Sequence, residues 1–135
     1  TGRKKEILIT AGGKNIAPKN IEAALKESPL VAEAVIIGDR RKFLSALIIV
    51  DDAAVTAALG AAPGPRDGWA ELRAAIQQQV DVVNERLARV EQVKKFTILE
   101  RPFAIETGEL TPTLKIKRKA VNTSFAAEIE RMYQE

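Results

Sequence analysis

The chain has 135 residues, 46% of them hydrophobic and 29% charged, so it is large enough to bury one core and too apolar for a disordered protein. It contains no cysteine and no histidine, which excludes disulfides, cysteine nucleophiles and the commonest general base and metal ligand. The formal net charge of +3 permits an anionic partner such as a nucleotide without requiring one. No run of sequence approaches the roughly 18 apolar residues of a membrane span, and no signal peptide is visible. Because the chain opens on Thr1 without an initiator methionine, we expect a fragment of a larger protein.

The first 30 residues predict a β-hairpin followed by a helix. The β-rich run Glu6–Thr10 (EILIT) is broken by Gly12 and Gly13, and Asn15-Ile16 reads as the return strand. Pro18 suits the first turn of a helix, which Ser28-Pro29 ends.

Two apolar runs, Val31–Gly38 and Leu44–Val50, predict buried strands because they are short and rich in β-branched residues. The polar turn Asp39–Lys42 between them predicts antiparallel pairing. Asp51-Asp52 is expected to cap a short alanine-rich helix over Ala53–Leu59.

The second half predicts a long helix, a third strand, a polar loop and a last helix. The third strand is expected at Val93–Leu99, the loop at Arg101–Thr113 and the last helix from near Lys117. Each helix shows one apolar stripe: Trp69, Leu72, Ile76, Val80, Val83 and Leu87 in the long helix, and Val121, Phe125, Ile129 and Met132 in the last one. We expect Trp69 to be largely buried.

The candidates for catalysis are cationic side chains, because the paired acidic residues of the chain are explained more simply by structural roles. Glu106 and Glu109 are expected to be a helix cap or a loop tip, and Gly12-Gly13-Lys14 is too short for a phosphate-binding P-loop. The basic segments are Gly2–Lys5 and Lys115–Lys119. Either could be a solvated charge run, and the second could anchor nucleic acid, although the chain lacks interleaved aromatic residues that stack on bases.

Segments at opposite ends of the chain resemble motifs of one enzyme superfamily. Residues 1–22 (TGRKKEILITAGGKNIAPKNIE) are similar to the interdomain motif of adenylate-forming enzymes, and residues 108–121 (GELTPTLKIKRKAV) are similar to their C-terminal motif. Residues 29–39 (PLVAEAVIIGD) resemble the first core strand of their C-terminal domain. The segments TAGGKNIAP and LTPTLKIKR are most similar to long-chain acyl-CoA synthetases.

The resemblance implies roles for individual cations. Lys115 falls on the lysine that reaches the acyl carboxylate and the α-phosphate during adenylate formation. The chemistry fits, because a lysine supplies a point cation where negative charge gathers on a phosphoryl group. Arg3 falls on an arginine near the nucleotide ribose and phosphates, and Lys5 falls on the interdomain hinge.

The resemblance also implies a role for the glycine turn. Gly12 and Gly13 fall on the turn that borders the pantetheine tunnel of CoA after the domain has rotated, where glycine lets the backbone approach a thin ligand. Asn15 stands where several short-chain relatives carry a phosphate-contacting arginine, and Leu114 stands where the family usually has glycine. Glu22 matches the last glutamate of the motif, either as a helix-surface carboxylate or as a functional group.

We therefore expect an α+β fold, with a small β-sheet packed with helices and preceded by a short β-hairpin. Residues 1–135 would form a C-terminal lid domain, with residues 1–5 as the interdomain hinge. The implied activity is that of an ATP-dependent long-chain fatty acid–CoA ligase, which forms acyl-AMP and then transfers the acyl group to the CoA thiol. ATP, Mg²⁺ and the fatty acid would be held mainly by a large N-terminal domain, so the isolated chain is expected to be inactive.

The expected location is cytoplasmic, with membrane association through the N-terminal domain left open. We expect no metal site in the chain and no nucleic-acid partner. Two alternatives remain at this point. One is the lid domain of an adenylate-forming enzyme that activates an amino or aryl acid, and the other is a non-enzymatic basic α+β module that binds RNA or protein.

Overall fold

The computed structural model describes residues 7–61, 64, 68–100, 103–113 and 115–133. They belong to two compact units, divided after Glu100. The helices and strands are, in chain order, β1 (Leu8–Ile9), β2 (Asn15–Ile16), α1 (Pro18–Leu25), β3 (Val31–Ile37), β4 (Leu44–Val50), α2 (Asp52–Leu59), α3 (Ala70–Glu85), a 3₁₀ turn (Arg89–Glu91), β5 (Val93–Ile98), α4 (Arg118–Ser124) and α5 (Ala126–Tyr133).

The first unit contains a two-stranded hairpin and a three-stranded mixed sheet. In the hairpin, Leu8 of β1 pairs with Ile16 of β2, and both side chains are buried. The sheet has the order β3-β4-β5, with β3 and β4 antiparallel as predicted. Strands β4 and β5 run parallel, because the intervening chain crosses over through α2 and α3. Every residue of β4 is buried, which explains why its sequence is apolar at every position except Ser45 and does not alternate.

Helix α1 and the predicted apolar stripe of helix α3 supply buried side chains to the core of this unit. The buried stripe residues are Ile21 and Leu25 on α1 and Leu72, Ile76, Val80 and Val83 on α3. The predicted burial of Trp69 is confirmed, although this residue immediately precedes α3 and does not form its first turn. The predicted cap of α2 is also present, since the Asp51 carboxylate accepts a hydrogen bond from Ala54 N at 3.1 Å.

Glu22 has a structural contact that its place in the sequence does not predict. It lies on α1 with only 9% of its surface exposed, so the first of the two interpretations left open above, a helix-surface carboxylate, is wrong. Its Oε2 accepts a hydrogen bond from Ile36 N of β3 at 2.8 Å. Because β3 is an edge strand of the three-stranded sheet, its outward N–H groups need partners from outside the sheet. Glu22 therefore fastens α1 to β3 near the C-terminal end of this edge strand.

The second unit ends in two short helices where the sequence predicts one. The chain departs from helical geometry at Phe125, with φ of −113° and ψ of 27°. Edge-to-face packing of the Phe125 ring on Phe103, at 5.8 Å between centroids, accompanies this break. Phe125 N still bonds to Val121 O and Ile129 N to Phe125 O, so the predicted stripe stays on one side and is buried.

Across the described ranges, no helix combines the length and the apolar character needed to cross a bilayer.

We predict that the Glu22 contact contributes measurably to stability. Glu22→Ala leaves Ile36 N without this acceptor and should lower the free energy of unfolding by about 2–3 kcal/mol, whereas Glu22→Gln keeps a carbonyl oxygen and should cost only about 1 kcal/mol. Urea denaturation of the 135-residue chain measures both. The control is Glu85→Ala, at an exposed position of α3, which should stay within about 0.5 kcal/mol of the parent. A loss in Glu22→Ala no larger than the control would contradict the prediction.

Candidate functional site

The turn between β1 and β2 is closed by its own backbone. Gly13 N donates to Thr10 O at 2.9 Å, and Thr10 N donates to Lys14 O at 3.0 Å. Gly13 has φ of +84°, a left-handed conformation in which side chains with a Cβ are strained. Gly12 does not need this conformation, and the atom nearest to a Cβ built on it is Thr10 Oγ1 at 3.9 Å. The backbone conformation therefore requires glycine at position 13 but not at position 12.

The hairpin is attached to the turn between β3 and β4 by three hydrogen bonds. Ala11 N donates to Arg41 O at 2.9 Å, and Arg40 N donates to Ile9 O at 2.7 Å. Ile9 N also donates to Asp39 Oδ1 at 3.2 Å. These contacts place the glycine turn beside the residues that lead into β4.

A cleft of about 460 Å³ opens next to the glycine turn, within the size range of small-molecule sites. Among the described residues, its lining consists of Thr10, Gly12, Lys14, Lys42, Phe43, Arg89, Gln92 and Lys94. Four of these are cations and none is acidic. In the part of the chain that the structure describes, none of the four cations forms a salt bridge. The described lining of the cleft therefore carries an excess of positive charge, which favours an anionic ligand.

Lys115 lies at the end of a tight loop in the second unit. Lys117 N donates to Glu109 O at 2.7 Å, and Leu110 forms an antiparallel bridge with Ile116. Inside this closure, Thr111 N donates to Lys115 O at 2.8 Å. The Lys115 side chain is exposed, so its ammonium group is open to solvent.

Glu109 anchors this loop from within. Its side chain has no exposed surface, so the expectation of a helix cap or loop tip is wrong. Its Oε1 accepts hydrogen bonds from Ala104 N at 3.2 Å and from Thr107 Oγ1 at 2.5 Å. A carboxylate that bonds backbone and hydroxyl donors on the preceding residues fixes the base of the loop.

Residues 5–135 match the family profile described as the AMP-binding enzyme C-terminal domain. The chain belongs to this family. Among curated relatives, it is 43% identical over 140 residues to the long-chain-fatty-acid–CoA ligase FadD15 of Mycobacterium tuberculosis, covering 98% of this chain and 23% of that protein. It is 34% identical over 157 residues to the long-chain-fatty-acid–CoA ligase ACSBG2 of Mus musculus, covering 98% of this chain and 24% of that protein. The chain thus spans about a quarter of the length of these relatives.

Solved structures of adenylating enzymes share the fold. The A-PCP didomain of carboxylic acid reductase from Segniliparus rugosus, in complex with AMP, superposes with a TM-score of 0.76 and 28% identity. The match covers 98% of this chain and 18% of that one. The predicted α+β class, with a small sheet, helices and a leading hairpin, is confirmed.

The predicted site residues of this AMP-binding C-terminal domain are distributed over the chain. Gly12 and Gly13 lie in the first unit, and Gly12 lines the cleft, whereas Lys115 lies on the loop of the second unit. The roles predicted for these residues stay predictions. Arg3 and Lys5 fall outside the described residues. Within the described ranges, no group of three or more acidic side chains is placed to hold a metal ion.

Sequence reasoning missed the cations of the cleft. They come from the hairpin, the entry to β4, the 3₁₀ turn and the start of β5, and are isolated from one another in sequence. The parallel register that pairs Leu44 with Val93 sets Lys42 and Lys94 at the same end of adjacent strands. Parallel pairing of β4 and β5, if predicted from the sequence, would have indicated that Lys42 and Lys94 lie close together.

We predict that the two glycines differ in their effect on stability. Gly13→Ala forces a Cβ into a left-handed conformation and should lower the free energy of unfolding by about 1–2 kcal/mol. Gly12→Ala meets neither a positive φ nor a close neighbour and should stay within about 0.5 kcal/mol of the parent. Thermal or urea unfolding of the 135-residue chain measures both. Equal losses in the two variants would show that the backbone angle at Gly13 is not the determinant.

Proposed function

We propose that the chain is the C-terminal lid domain of an ATP-dependent long-chain fatty acid–CoA ligase. The observation that carries the proposal is the cleft beside Gly12, whose described lining holds four cations and no acidic residue, within a member of the AMP-binding C-terminal family. The relatives that bear the name long-chain-fatty-acid–CoA ligase, at 34% and 43% identity, support this substrate class over an amino or aryl acid. The family match argues against the third alternative, a non-enzymatic basic module.

In the first half-reaction, the fatty acid carboxylate attacks the α-phosphorus of ATP, giving acyl-AMP and releasing pyrophosphate. Negative charge gathers on the transferring phosphoryl group and needs a fixed cation close to it. Lys115 is suited to this role, because its side chain is exposed while its main chain is bound into the loop. Arg3 would assist at the nucleotide.

In the second half-reaction, the CoA thiol attacks the acyl carbonyl, and AMP leaves. CoA carries a diphosphate and a 3′-phosphate behind its thin pantetheine arm. The cleft offers Lys14, Lys42, Arg89 and Lys94 to such phosphates, and Gly12 lets the arm pass close to the backbone. The cations would act mainly by raising the local concentration of CoA and orienting it.

The remaining components are assigned to the rest of the protein. Since the described residues offer no acidic cluster for Mg²⁺, the metal, the triphosphate and the acyl pocket would be held by an N-terminal domain of the same chain. When bound there, Mg²⁺ would neutralise phosphate charge. A hinge at Lys5 would let the lid present Lys115 in one half-reaction and the cleft in the other.

Replacing Lys115 tests the first half-reaction. In the full-length ligase, Lys115→Ala should lower the rate of fatty-acid-dependent ATP–pyrophosphate exchange about 10²–10³-fold, as the loss of one preorganised charge donor does. Thioester formation from supplied acyl-AMP should be largely preserved. The control is Lys117→Ala, two residues away, which should cost much less. Equal losses in the two variants, or an unchanged Lys115→Ala enzyme, would contradict the assignment.

Replacing cleft cations tests the second half-reaction. Combining Arg89→Ala with Lys94→Ala in the full-length ligase should raise the KM for CoA about ten-fold, and the effect should shrink at high salt. Adenylation should be unchanged. The control combines Lys19→Ala with Lys26→Ala, which removes two charges outside the cleft and should leave the KM unaltered. A KM that responds equally to both pairs would indicate a general charge effect and no CoA site.

A further inference from the structure

Both main-chain polar groups of Lys115 are bonded to one residue. Lys115 N donates to the hydroxyl oxygen of Thr111 at 3.0 Å, and Lys115 O accepts from Thr111 N at 2.8 Å. The loop that carries the lysine is thus closed on itself across four residues. One of its two closing bonds depends on a side chain, and that side chain is Thr111.

The surrounding contacts make the Thr111 hydroxyl a specific acceptor. It lies 3.0 Å from the Thr113 hydroxyl, so the hydroxyl pair shares one hydrogen bond while Thr111 Oγ1 keeps a lone pair for Lys115 N. The base of the loop is held separately by the buried Glu109 and by the bridge from Leu110 to Ile116. Loss of the Thr111 hydroxyl should therefore loosen the tip of the loop and leave its base folded.

A lysine is a poorly preorganised charge, because four rotatable carbons separate its ammonium from the backbone. Stabilising a transition state requires the cation to be in place before the reaction, and misplacement by about 1 Å can cost about 10²-fold in rate. Fixing both main-chain groups of Lys115 removes the backbone contribution to that misplacement. We propose that Thr111 is a positioning residue for adenylation, acting through the hydrogen bond from Lys115 N to its hydroxyl. The inference rests on the proposed role of Lys115.

The test uses the full-length ligase with three substitutions in the loop. Thr111→Val keeps the shape of the side chain and removes the acceptor, and Thr111→Ser restores the acceptor. Thr113→Val removes a hydroxyl from the same loop without removing the acceptor of Lys115 N. Each variant is assayed for ATP–pyrophosphate exchange, for the KM of ATP and for thioester formation from supplied acyl-AMP.

We expect Thr111→Val to lower the kcat of adenylation about ten-fold, with the KM of ATP and the thioester step within about two-fold of the parent. Thr111→Ser should restore adenylation, and Thr113→Val should stay within about two-fold. In a Lys115→Ala background, Thr111→Val should cause no further loss, because residues that act through one another are not additive. A destabilised fold would instead slow both half-reactions and add to the loss from Lys115→Ala.

The outcomes separate the two levels of the proposal. If Lys115→Ala lowers adenylation and Thr111→Val does not, or if Thr111→Ser fails to restore it, the positioning role is overturned while the proposed function stands. An unchanged Lys115→Ala enzyme overturns both. Should Thr111→Val not fold, Thr111→Ala removes the same acceptor and takes its place with the same expectations.

Discussion

The attachment of the hairpin to the turn between β3 and β4 is the constraint on which the cleft depends. A hairpin with two residues in each strand is not stable by itself. Leu8 and Ile16 place one of its faces in the core, and the bonds to the β3–β4 turn fix its direction. Only in that arrangement does Gly12 lie beside Lys42 and Phe43, which line the same cleft.

The receiving turn stores backbone strain that the hairpin helps to offset. Among the described residues, Arg40 is the one non-glycine residue with positive φ, at 62°, a conformation that costs about 1–2 kcal/mol. Turns with positive φ at this position usually hold glycine or asparagine. Arg40 N bonds to Ile9 O, and Arg41 O accepts from Ala11 N, so the strained conformation presents both groups to the hairpin. The turn and the hairpin therefore stabilise each other's conformation, and their relative position determines the geometry of the cleft.

Local patterns predict much of this fold, and contacts between distant segments explain the remainder. The helix stripes, the antiparallel β3–β4 pair and the Asp51 cap follow from periodicity and from neighbouring residues. The contacts of the two buried carboxylates do not follow from local patterns. Glu22 accepts a hydrogen bond from a residue 14 positions away, and the bond that Glu109 accepts from a residue five positions away depends on how its loop closes. The cleft was missed for the same reason. A lysine that lines it has the same local sequence signature as one in solvent, and only the parallel strand register distinguishes them.

The two groups of cations are built in different ways, and the difference matches the two proposed tasks. The cleft cations are exposed and come from four separate segments, an arrangement that attracts a ligand with several phosphates and tolerates some movement. The Lys115 side chain is also exposed, but its main chain belongs to a loop closed by Thr111 and held at its base by the buried Glu109, so the backbone position of this one cation is restricted. Attraction depends on the sum of charges, whereas stabilisation of a transition state depends on the position of one of them. A single small domain with one cation on a closed loop and one cluster of cations from separate segments would thus serve both halves of the proposed reaction, provided that it presents them in turn.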